Sequence, residues 1–137
     1  MYAFDIERPT SVADAVAALK DQDAQALGGG QTLIPTLKQR LAAPSKLVSL
    51  TNIADLQGIA NDGDTLRIGG AVTHATVAAE VRLTYPALAD LASHIGDPAV
   101  RNRGTISGSL ANNDPSACYP AVALASGATI ITNTRAI

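Results

Sequence analysis

The sequence predicts an α+β fold of two lobes: a small lobe with a short parallel sheet and helices, and a second lobe with an antiparallel sheet and helices. Strand-like and helix-like segments alternate over residues 1–57, an order that favours a small parallel sheet. Two short apolar segments then flank NDGD (61–64), whose residues tolerate the positive φ of a tight hairpin turn. With 47% hydrophobic but only 3% aromatic residues, the chain of 137 residues can bury an aliphatic core.

The first lobe, residues 1–57, is predicted to have a βαβαβ-like order. The Ser11 hydroxyl can accept a hydrogen bond from a free amide, and apolar residues follow at helical spacing, so a helix is predicted over roughly 11–21. A short apolar segment at 24–27 is predicted to be a strand that runs into three glycines. KLVSL at 46–50 is predicted to be another strand.

A second helix is predicted between these strands, with Leu33, Leu37 and Leu41 at helical spacing. Pro35 lies near its beginning, where a residue without an N–H is tolerated because amides there have no intrahelical acceptor.

The second lobe, residues 58–137, is predicted to start with the NDGD hairpin and to continue with helices. Thr73 can cap a helix over 74–82, and Pro86 can open another over 85–95. After a polar stretch, ACYPAVALASG has the pattern of a helix, and ATIITNT (128–134) has the pattern of a strand that ends in turn residues.

Charge and cysteine content exclude several classes of function. Lys plus Arg total 10 against 12 Asp plus Glu, and they are scattered, so we expect no nucleic-acid partner. The most apolar late stretch is broken by Pro120 and Gly127 and is too short for a membrane span. The only cysteine, Cys118, excludes an intramolecular disulfide and a cysteine-based metal site. The N-terminus lacks the apolar run of a secretory signal, so we expect a cytoplasmic protein.

The first candidate site is GGGQTL at 28–33, the glycine loop. Glycines between a strand and a helix let the backbone approach a ligand, and free amides at a helix start attract an anion such as a phosphate. The pattern is not the GxGxxG dinucleotide motif, because Leu33 replaces the last glycine, and no GK[ST] follows as in a P-loop. A tight turn without a ligand explains this motif equally well on its own.

The second candidate site is TISGSLANNDP at 105–115, interpreted as a polar loop with little side-chain bulk. It suits a polyol or a pyrophosphate, although turn chemistry at Asp114-Pro115 explains part of it. Neither candidate contains Lys or Arg, so backbone amides would have to neutralise a bound phosphate. Each favourable helix-end interaction contributes roughly 0.3–1 kcal/mol, and ~2 kcal/mol when partly buried. One such loop would hold a diphosphate weakly, whereas two converging loops would hold it well.

The other reactive side chains point to no catalytic or metal site. His74 and His94 have no Cys, Asp or Glu at metal-ligand spacing, and His74 is expected in the first turn of a helix. Cys118 is expected to be a small buried residue. Arg101 and Arg103 are expected in structural or solvated interactions rather than on a phosphate.

Two long stretches in the same order carry a family resemblance. GGGQTLIPTLKQRLAAPSKLVSL and DPAVRNRGTISGSLANNDPSACYPAVALASGA resemble the FAD-binding medium subunit of the molybdenum hydroxylases, the group that includes carbon monoxide dehydrogenase and xanthine dehydrogenase. The resemblance spans about residues 2 to 135. It implies a two-lobed FAD-binding module, in agreement with the two lobes expected above.

The resemblance also implies which residues bind FAD, and that they bind it non-covalently. The first group surrounds the glycine loop and consists of Leu27, Gly28, Gly29, Gly30, Gln31, Thr32, Leu33 and Ile34. The second group consists of Thr105, Ile106, Ser107, Gly108 and Ser109, with Ile95 before it and Cys118 after it. Asn112 and Asp114 are possible substitutes for the hydrogen-bonding Asp that relatives carry at the position of Cys118.

Three departures from the family pattern are visible. Family members often have TIGG where this chain has Thr105 to Gly108, so Ser107 replaces a glycine and should be tolerated if its φ is negative. Many relatives carry an Asp at the position of Cys118, and a thiol is a weaker hydrogen-bond partner. Family subunits continue beyond the position of Ile137, so we expect a truncated chain whose second lobe is cut short and whose C-terminal domain is absent.

The function implied by the resemblance is that of an oxidoreductase subunit that passes electrons from iron–sulfur clusters through flavin to an external acceptor. The partners are then a large molybdenum-cofactor subunit and a small iron–sulfur subunit, and this chain alone is expected to be inactive. Two alternatives stay open: a stand-alone flavin reductase of the same superfamily, and an interaction module that has lost flavin.

Overall fold

A computed structural model describes all residues, 1–137, and its first sheet is parallel. The three strands are β1 (Asp5–Glu7), β2 (Ala24–Leu27) and β3 (Lys46–Ser49), in the order β1-β3-β2. Two crossover helices, α1 (Val12–Ala18) and α2 (Leu33–Lys38), connect them. The predicted βαβαβ order is confirmed. The Ser11 hydroxyl accepts a hydrogen bond from the Asp14 amide and so caps α1 as expected.

The rest of the chain combines one antiparallel hairpin with helices. The hairpin strands β4 (Ile59–Asp62) and β5 (Thr65–Ile68) turn at Gly63, whose φ is +68°. A short 3-10 turn, Ala54–Leu56, precedes them. The helices are α3 (His74–Glu80), α4 (Pro86–Ser93), α5 (Pro98–Arg101), α6 (Ile106–Asn112) and α7 (Cys118–Ser126). The mixed α+β class with one parallel and one antiparallel sheet is therefore confirmed.

The buried apolar side chains form two clusters. The smaller cluster joins α1 to the parallel sheet and consists of Ala15, Ala18, Val48 and Ile53. The larger cluster joins α3, α4 and α7 and consists of Val72, Val77, Val81, Leu88, Ala89, Ala92 and Tyr119. Each sheet or helix group thus buries its own apolar face.

Three sequence-based expectations are wrong. Residues 106–112 form helix α6 rather than a loop, because the Thr105 hydroxyl accepts the Gly108 amide and starts the helix. The segment 128–134 is not a strand, since it forms only an isolated bridge between Ile131 and Ala136. Helix α2 ends at Lys38 because Arg40 takes a left-handed conformation (φ +60°), which leaves Leu41 74% exposed instead of packed.

None of the helices has the length and apolar character that crossing a membrane requires.

Candidate cofactor site

The glycine loop (28–33) lies against a second chain segment, residues 103–109, which we call the Thr105 segment. A Cβ added at Gly29 would overlap the carbonyl oxygen of Arg103 and would lie 2.7 Å from the Cα of Gly104. A Cβ added at Gly28 would lie 3.1 Å from Oγ1 of Thr105. Gly29 and Gly104, 75 residues apart in the sequence, therefore meet backbone to backbone directly before the second candidate site, and glycine is the residue that allows this approach.

The amides of the glycine loop are free to bind a ligand. The main-chain N–H groups of residues 28–33 donate no hydrogen bond to any protein acceptor. Gly30 has a φ of +73°, which turns the chain from β2 into α2, and its carbonyl oxygen accepts the Ile34 amide at 2.9 Å. Thr32, at the N-cap of α2, makes no side-chain cap hydrogen bond. Adjacent unpaired amides in a bend are a favourable environment for phosphate oxygens.

The Thr105 segment, in contrast, uses its own amides to hold the fold together. The amides of Ile106 and Ser107 donate to the carbonyl oxygens of Val72 and Gly70 at 3.0 and 3.1 Å. The Gly108 amide donates to Oγ1 of Thr105 at 3.1 Å. The expectation that both segments present free amides to a phosphate is therefore wrong for this one, whose helix start is already capped.

The Thr105 segment offers hydroxyl groups instead. The side chains of Ser107 and Ser109 are partly buried, and neither hydroxyl makes a hydrogen bond within the protein. Ser107 is not among the residues with positive φ, so the condition for replacing the family glycine is met. Hydroxyls that both donate and accept suit the ribose and phosphate groups of a nucleotide.

A third small-residue segment was missed by the sequence analysis. A Cβ added at Gly70 would lie 3.1 Å from the Cβ of Ser107, and one added at Gly69 would overlap the carbonyl of Leu56. The signal was present in the sequence, because a glycine pair directly after β5 indicates close backbone approach. Gly70 thus lets the Thr105 segment pack close to the chain that leaves the hairpin, and Gly69 lets that chain pack against the backbone of Leu56.

A buried polar pair, His74 and Tyr119, packs against the Thr105 segment at Gly104. His74 is the first residue of α3, as expected, and its Nδ1 lies 3.2 Å from the hydroxyl oxygen of Tyr119 in α7. The residues are 5% and 1% exposed. Burial lowers the pKa of His74 below its usual value, and burial, with a smaller contribution from Cys118, raises the pKa of Tyr119.

The apolar residues expected around the glycine loop lie on both sides of Gly30. A Cβ at Gly30 would lie 2.9 Å from Cγ1 of Ile34 and 3.2 Å from Cδ1 of Leu27. Leu33 begins α2 and is partly buried, while Gln31 is exposed and its Nε2 donates to the Gly29 carbonyl at 3.3 Å.

The remaining expected site residues lie further from this contact. Asn112 ends α6, about 10 Å along the helix from its start. Ile95 follows α4 and packs against the larger cluster. Cys118 is exposed at the first position of α7, so the expectation that it is buried is wrong; burial falls on the neighbouring Tyr119 instead.

The Arg101 side chain and the two largest surface depressions are separate from the glycine loop. Arg101 donates from Nη1 to the carbonyls of Ile95 and Gly96 at 3.3 and 2.7 Å, which confirms a structural role. A depression of ≈ 420 Å³ lies beside Asp23 and Pro44, and one of ≈ 280 Å³ lies beside Arg82 and Asp90. Neither contains a residue of the glycine loop or the Thr105 segment.

The donor set fits the nucleotide part of FAD. A diphosphate needs several hydrogen-bond donors on one side, and the unpaired amides of residues 28–33 are such a set, with no side chain at 28–30 to block the approach. No group of three or more His, Cys, Asp or Glu side chains is placed to hold a metal ion. The arrangement is suited to binding and orienting a cofactor rather than to acid–base chemistry.

Comparison with known proteins gives consistent matches along nearly the whole chain. Residues 2–136 match the family described as the FAD binding domain in molybdopterin dehydrogenase. The chain is 42% identical over 130 residues to the carbon monoxide dehydrogenase medium chain of Afipia carboxidovorans, covering 92% of this chain and 45% of that protein. It is 41% identical over 120 residues to the nicotine 6-hydroxylase medium subunit of Paenarthrobacter nicotinovorans, covering 85% and 42%.

A solved structure of similar fold gives the same result as the sequence comparisons. Carbon monoxide dehydrogenase from Hydrogenophaga pseudoflava, in a form that lacks the Mo-pyranopterin moiety of its molybdenum cofactor, contains a similar chain with a TM-score of 0.88 and 39% identity. The match covers 90% of this chain and 45% of that one. The chain therefore spans somewhat less than half the length of the relatives that it matches.

Proposed function

We propose the function of this chain from its family. The chain belongs to the family of FAD-binding domains of molybdopterin dehydrogenases, to which the FAD-binding medium subunits of molybdenum hydroxylases also belong. In this proposal the chain holds FAD non-covalently and serves as the electron-transfer flavoprotein part of a multi-subunit oxidoreductase. The single observation that carries the proposal is the row of unpaired amides at residues 28–33, beside a segment rich in hydroxyl groups.

The diphosphate is assigned to the glycine loop. Gly28, Gly29 and Gly30 present main-chain N–H groups without side-chain bulk, and Gln31 and Thr32 extend the same row. Leu27, Leu33 and Ile34 supply the apolar flanks, which limit the access of water to the bound phosphates. Charge is neutralised by amide dipoles, because no Lys or Arg occurs among these residues.

The Thr105 segment is assigned to the sugar and the second side of the phosphates. Thr105 fixes the start of α6, and Ser107 and Ser109 have hydroxyls free to donate and accept hydrogen bonds. Ile106 and Gly108 shape the helix start between them, while Ile95, Asn112 and Cys118 are proposed as outer contacts.

The electron path is proposed from the family. A bound flavin supplies the two-electron chemistry that links one-electron iron–sulfur clusters to an external acceptor. The molybdenum centre and the clusters would then belong to a large and a small partner subunit, as expected for relatives named medium chain and medium subunit. This chain's own residues bind and orient the cofactor and perform no proton transfer.

We also propose that residues 1–57 and 58–137 are two lobes that together form the site. Support comes from the two apolar clusters, whose buried members fall on either side of residue 58. The contact between Gly29 and the Arg103 carbonyl then joins one lobe to the other.

The test of this function is ligand competition. Equilibrium dialysis of the purified 137-residue chain measures the Kd for FAD, and ADP and riboflavin are then added as competitors. Because the amide row binds the diphosphate, ADP should displace FAD while riboflavin should not. An absence of FAD binding, or displacement by riboflavin alone, would refute the assignment.

A further inference from the structure

His74 lies directly behind the turn that meets the glycine loop. Its main-chain N–H donates to the Gly104 carbonyl at 3.0 Å. A Cβ added at Gly104 would lie 2.5 Å from Nε2 of His74 and 2.8 Å from its Cδ2, so the edge of the imidazole ring rests on the Gly104 Cα. The preceding carbonyl, of Arg103, faces Gly29. The imidazole thus backs the point at which the two parts of the site touch.

Tyr119 holds the other side of this ring. Nδ1 of His74 and the Tyr119 hydroxyl oxygen are 3.2 Å apart, and the ring centroids are 5.3 Å apart at an interplanar angle of 39°. Tyr119 is 1% exposed within the larger cluster, so the hydroxyl has little freedom to move. The imidazole is therefore fixed between α7 and the turn at Gly104.

This position has no acceptor ready for a second ring proton. The Val100 carbonyl, which also lies next to the Gly104 Cα, already accepts the amides of Arg103 and Gly104 at 3.1 and 2.7 Å. The Gly104 carbonyl already accepts the His74 amide. A neutral ring needs one donor and one acceptor, whereas an imidazolium needs an acceptor at both nitrogens, and within the protein the ring hydrogen-bonds only at Nδ1.

We propose that His74 is a positioning residue for the FAD site: clamped by Tyr119, its neutral ring sets the turn Arg103–Gly104 against Gly29, and its protonation displaces this turn and weakens the binding of FAD. The inference rests on the proposed function, since it concerns the affinity of the same site.

No charged side chain hydrogen-bonds the imidazole within the protein, and Arg103, in the turn itself, is exposed. On α7, Tyr119 is the titratable partner within hydrogen-bonding distance, and Cys118 is exposed. From α5, Arg101 is engaged with the carbonyls at 95 and 96. On α4, Asp90 and His94 pair with each other at 3.8 Å in solvent, with their side chains 78% and 75% exposed. Burial lowers the pKa of His74, in agreement with a ring that is neutral when the turn is closed.

The experiment combines a pH series of FAD binding with NMR of the chain. The Kd for FAD is measured by equilibrium dialysis from about pH 8 to about pH 5.5, and NMR follows the His74 ring and the amides of Gly29 and Gly104 without FAD. We expect the Kd to rise roughly 5- to 10-fold on acidification, with the amide shifts and the His74 ring changing at the same midpoint.

Three variants locate the effect. His74→Gln does not titrate and removes the ring that packs against the turn, so its Kd at pH 8 should be roughly 3- to 10-fold weaker than that of wild type and should not rise further at low pH. Tyr119→Phe removes only the hydroxyl and should weaken FAD binding roughly 3- to 10-fold already at pH 8. His94→Gln is the matched control for an exposed histidine and should keep the wild-type pH profile.

The outcomes separate the inference from the function. If the wild-type chain binds no FAD at any pH, the proposed function fails. If it binds FAD but His74→Gln retains the full pH dependence, or the Gly29 and Gly104 amides do not respond to the His74 titration, the positioning role is overturned while FAD binding stands. A Tyr119→Phe chain that melts at a lower temperature but binds FAD at pH 8 as tightly as wild type would show a role limited to packing and would also overturn the positioning role.

Discussion

Replacing Gly29 with alanine is the substitution that the backbone contact makes most informative. The new Cβ would overlap the Arg103 carbonyl oxygen and would lie 2.7 Å from the Gly104 Cα, whereas ordinary contact begins at 3.4 Å. The glycine loop and the turn at Gly104 must therefore separate by roughly 1 Å or more. Neither backbone can yield by rotating a side chain.

The magnitude follows from the cost of overpacking. Inserting a methyl group where backbones are in contact costs about 1–3 kcal/mol. If the site forms only when the two segments meet, the same free energy is lost from FAD binding, which corresponds to roughly 5- to 150-fold in Kd. We expect Gly29→Ala to bind FAD at least ~5-fold more weakly and to melt several degrees lower than wild type.

Equilibrium dialysis gives the Kd and calorimetry gives the Tm of Gly29→Ala. Gly127→Ala is the matched control, because Gly127 ends α7 with a φ of +62° and has no atom within 4 Å of an added Cβ. That substitution costs about 1 kcal/mol of stability through its backbone and should leave the Kd for FAD unchanged. A folded Gly29→Ala chain with wild-type affinity would refute the reasoning, because the two segments would then not need to touch.

Three further predictions test other parts of the account. Thr105→Ala removes the cap of α6 and should cost about 0.5–2 kcal/mol in a denaturant titration, whereas Thr105→Ser should retain most of the stability. Leu37→Ala, at a side chain that is 1% exposed, should destabilise the chain by about 2–5 kcal/mol in the same titration. The lowered pKa of His74 means that the folded state favours the neutral ring. The contribution of the ring to stability is therefore full above the usual pKa of about 6.5 and is lost as the pH falls below it. Tm measured against pH should show this loss in wild type and not in His74→Gln.

Elements with local signals were predictable from the sequence. The hairpin followed from NDGD, and Gly63 takes the positive φ that the turn requires. Helices α1, α3 and α4 began where Ser11, Thr73 and Pro86 indicated, because caps and an initial proline act within one turn of the chain. The parallel sheet followed from alternation alone, since β1, β2 and β3 are joined by helices.

Contacts between distant residues were not predictable in the same way. The glycines and hydroxyls marked 105–115 as a polar loop, but whether its amides are free depends on their acceptors, which are the carbonyls of Gly70 and Val72. Those partners lie more than thirty residues away in the chain, and no local pattern identifies them. Leu41 was misplaced for a similar reason, since the turn at Arg40 that exposes it has no glycine to mark it.

The site was therefore only partly readable. The resemblance of GGGQTL and TISG to one family indicated the right two segments, and the structure brings them into contact. The sequence did not show that the two segments differ in their main-chain amides. The amides are free at 28–33 and already paired at 106–108, which is a property of the folded chain. Gly69 and Gly70 were overlooked because they follow a strand and resemble an ordinary turn.

The central claim is that main-chain amides of the glycine loop bind the diphosphate of FAD. An NMR titration of the isotope-labelled chain with FAD, followed by ADP alone, measures this directly at each amide. We predict that both ligands shift the amides of residues 28–33 most strongly and move those of 106–108, which are already paired, much less. If saturating FAD leaves the amide chemical shifts of residues 28–33 unchanged, the claim is contradicted.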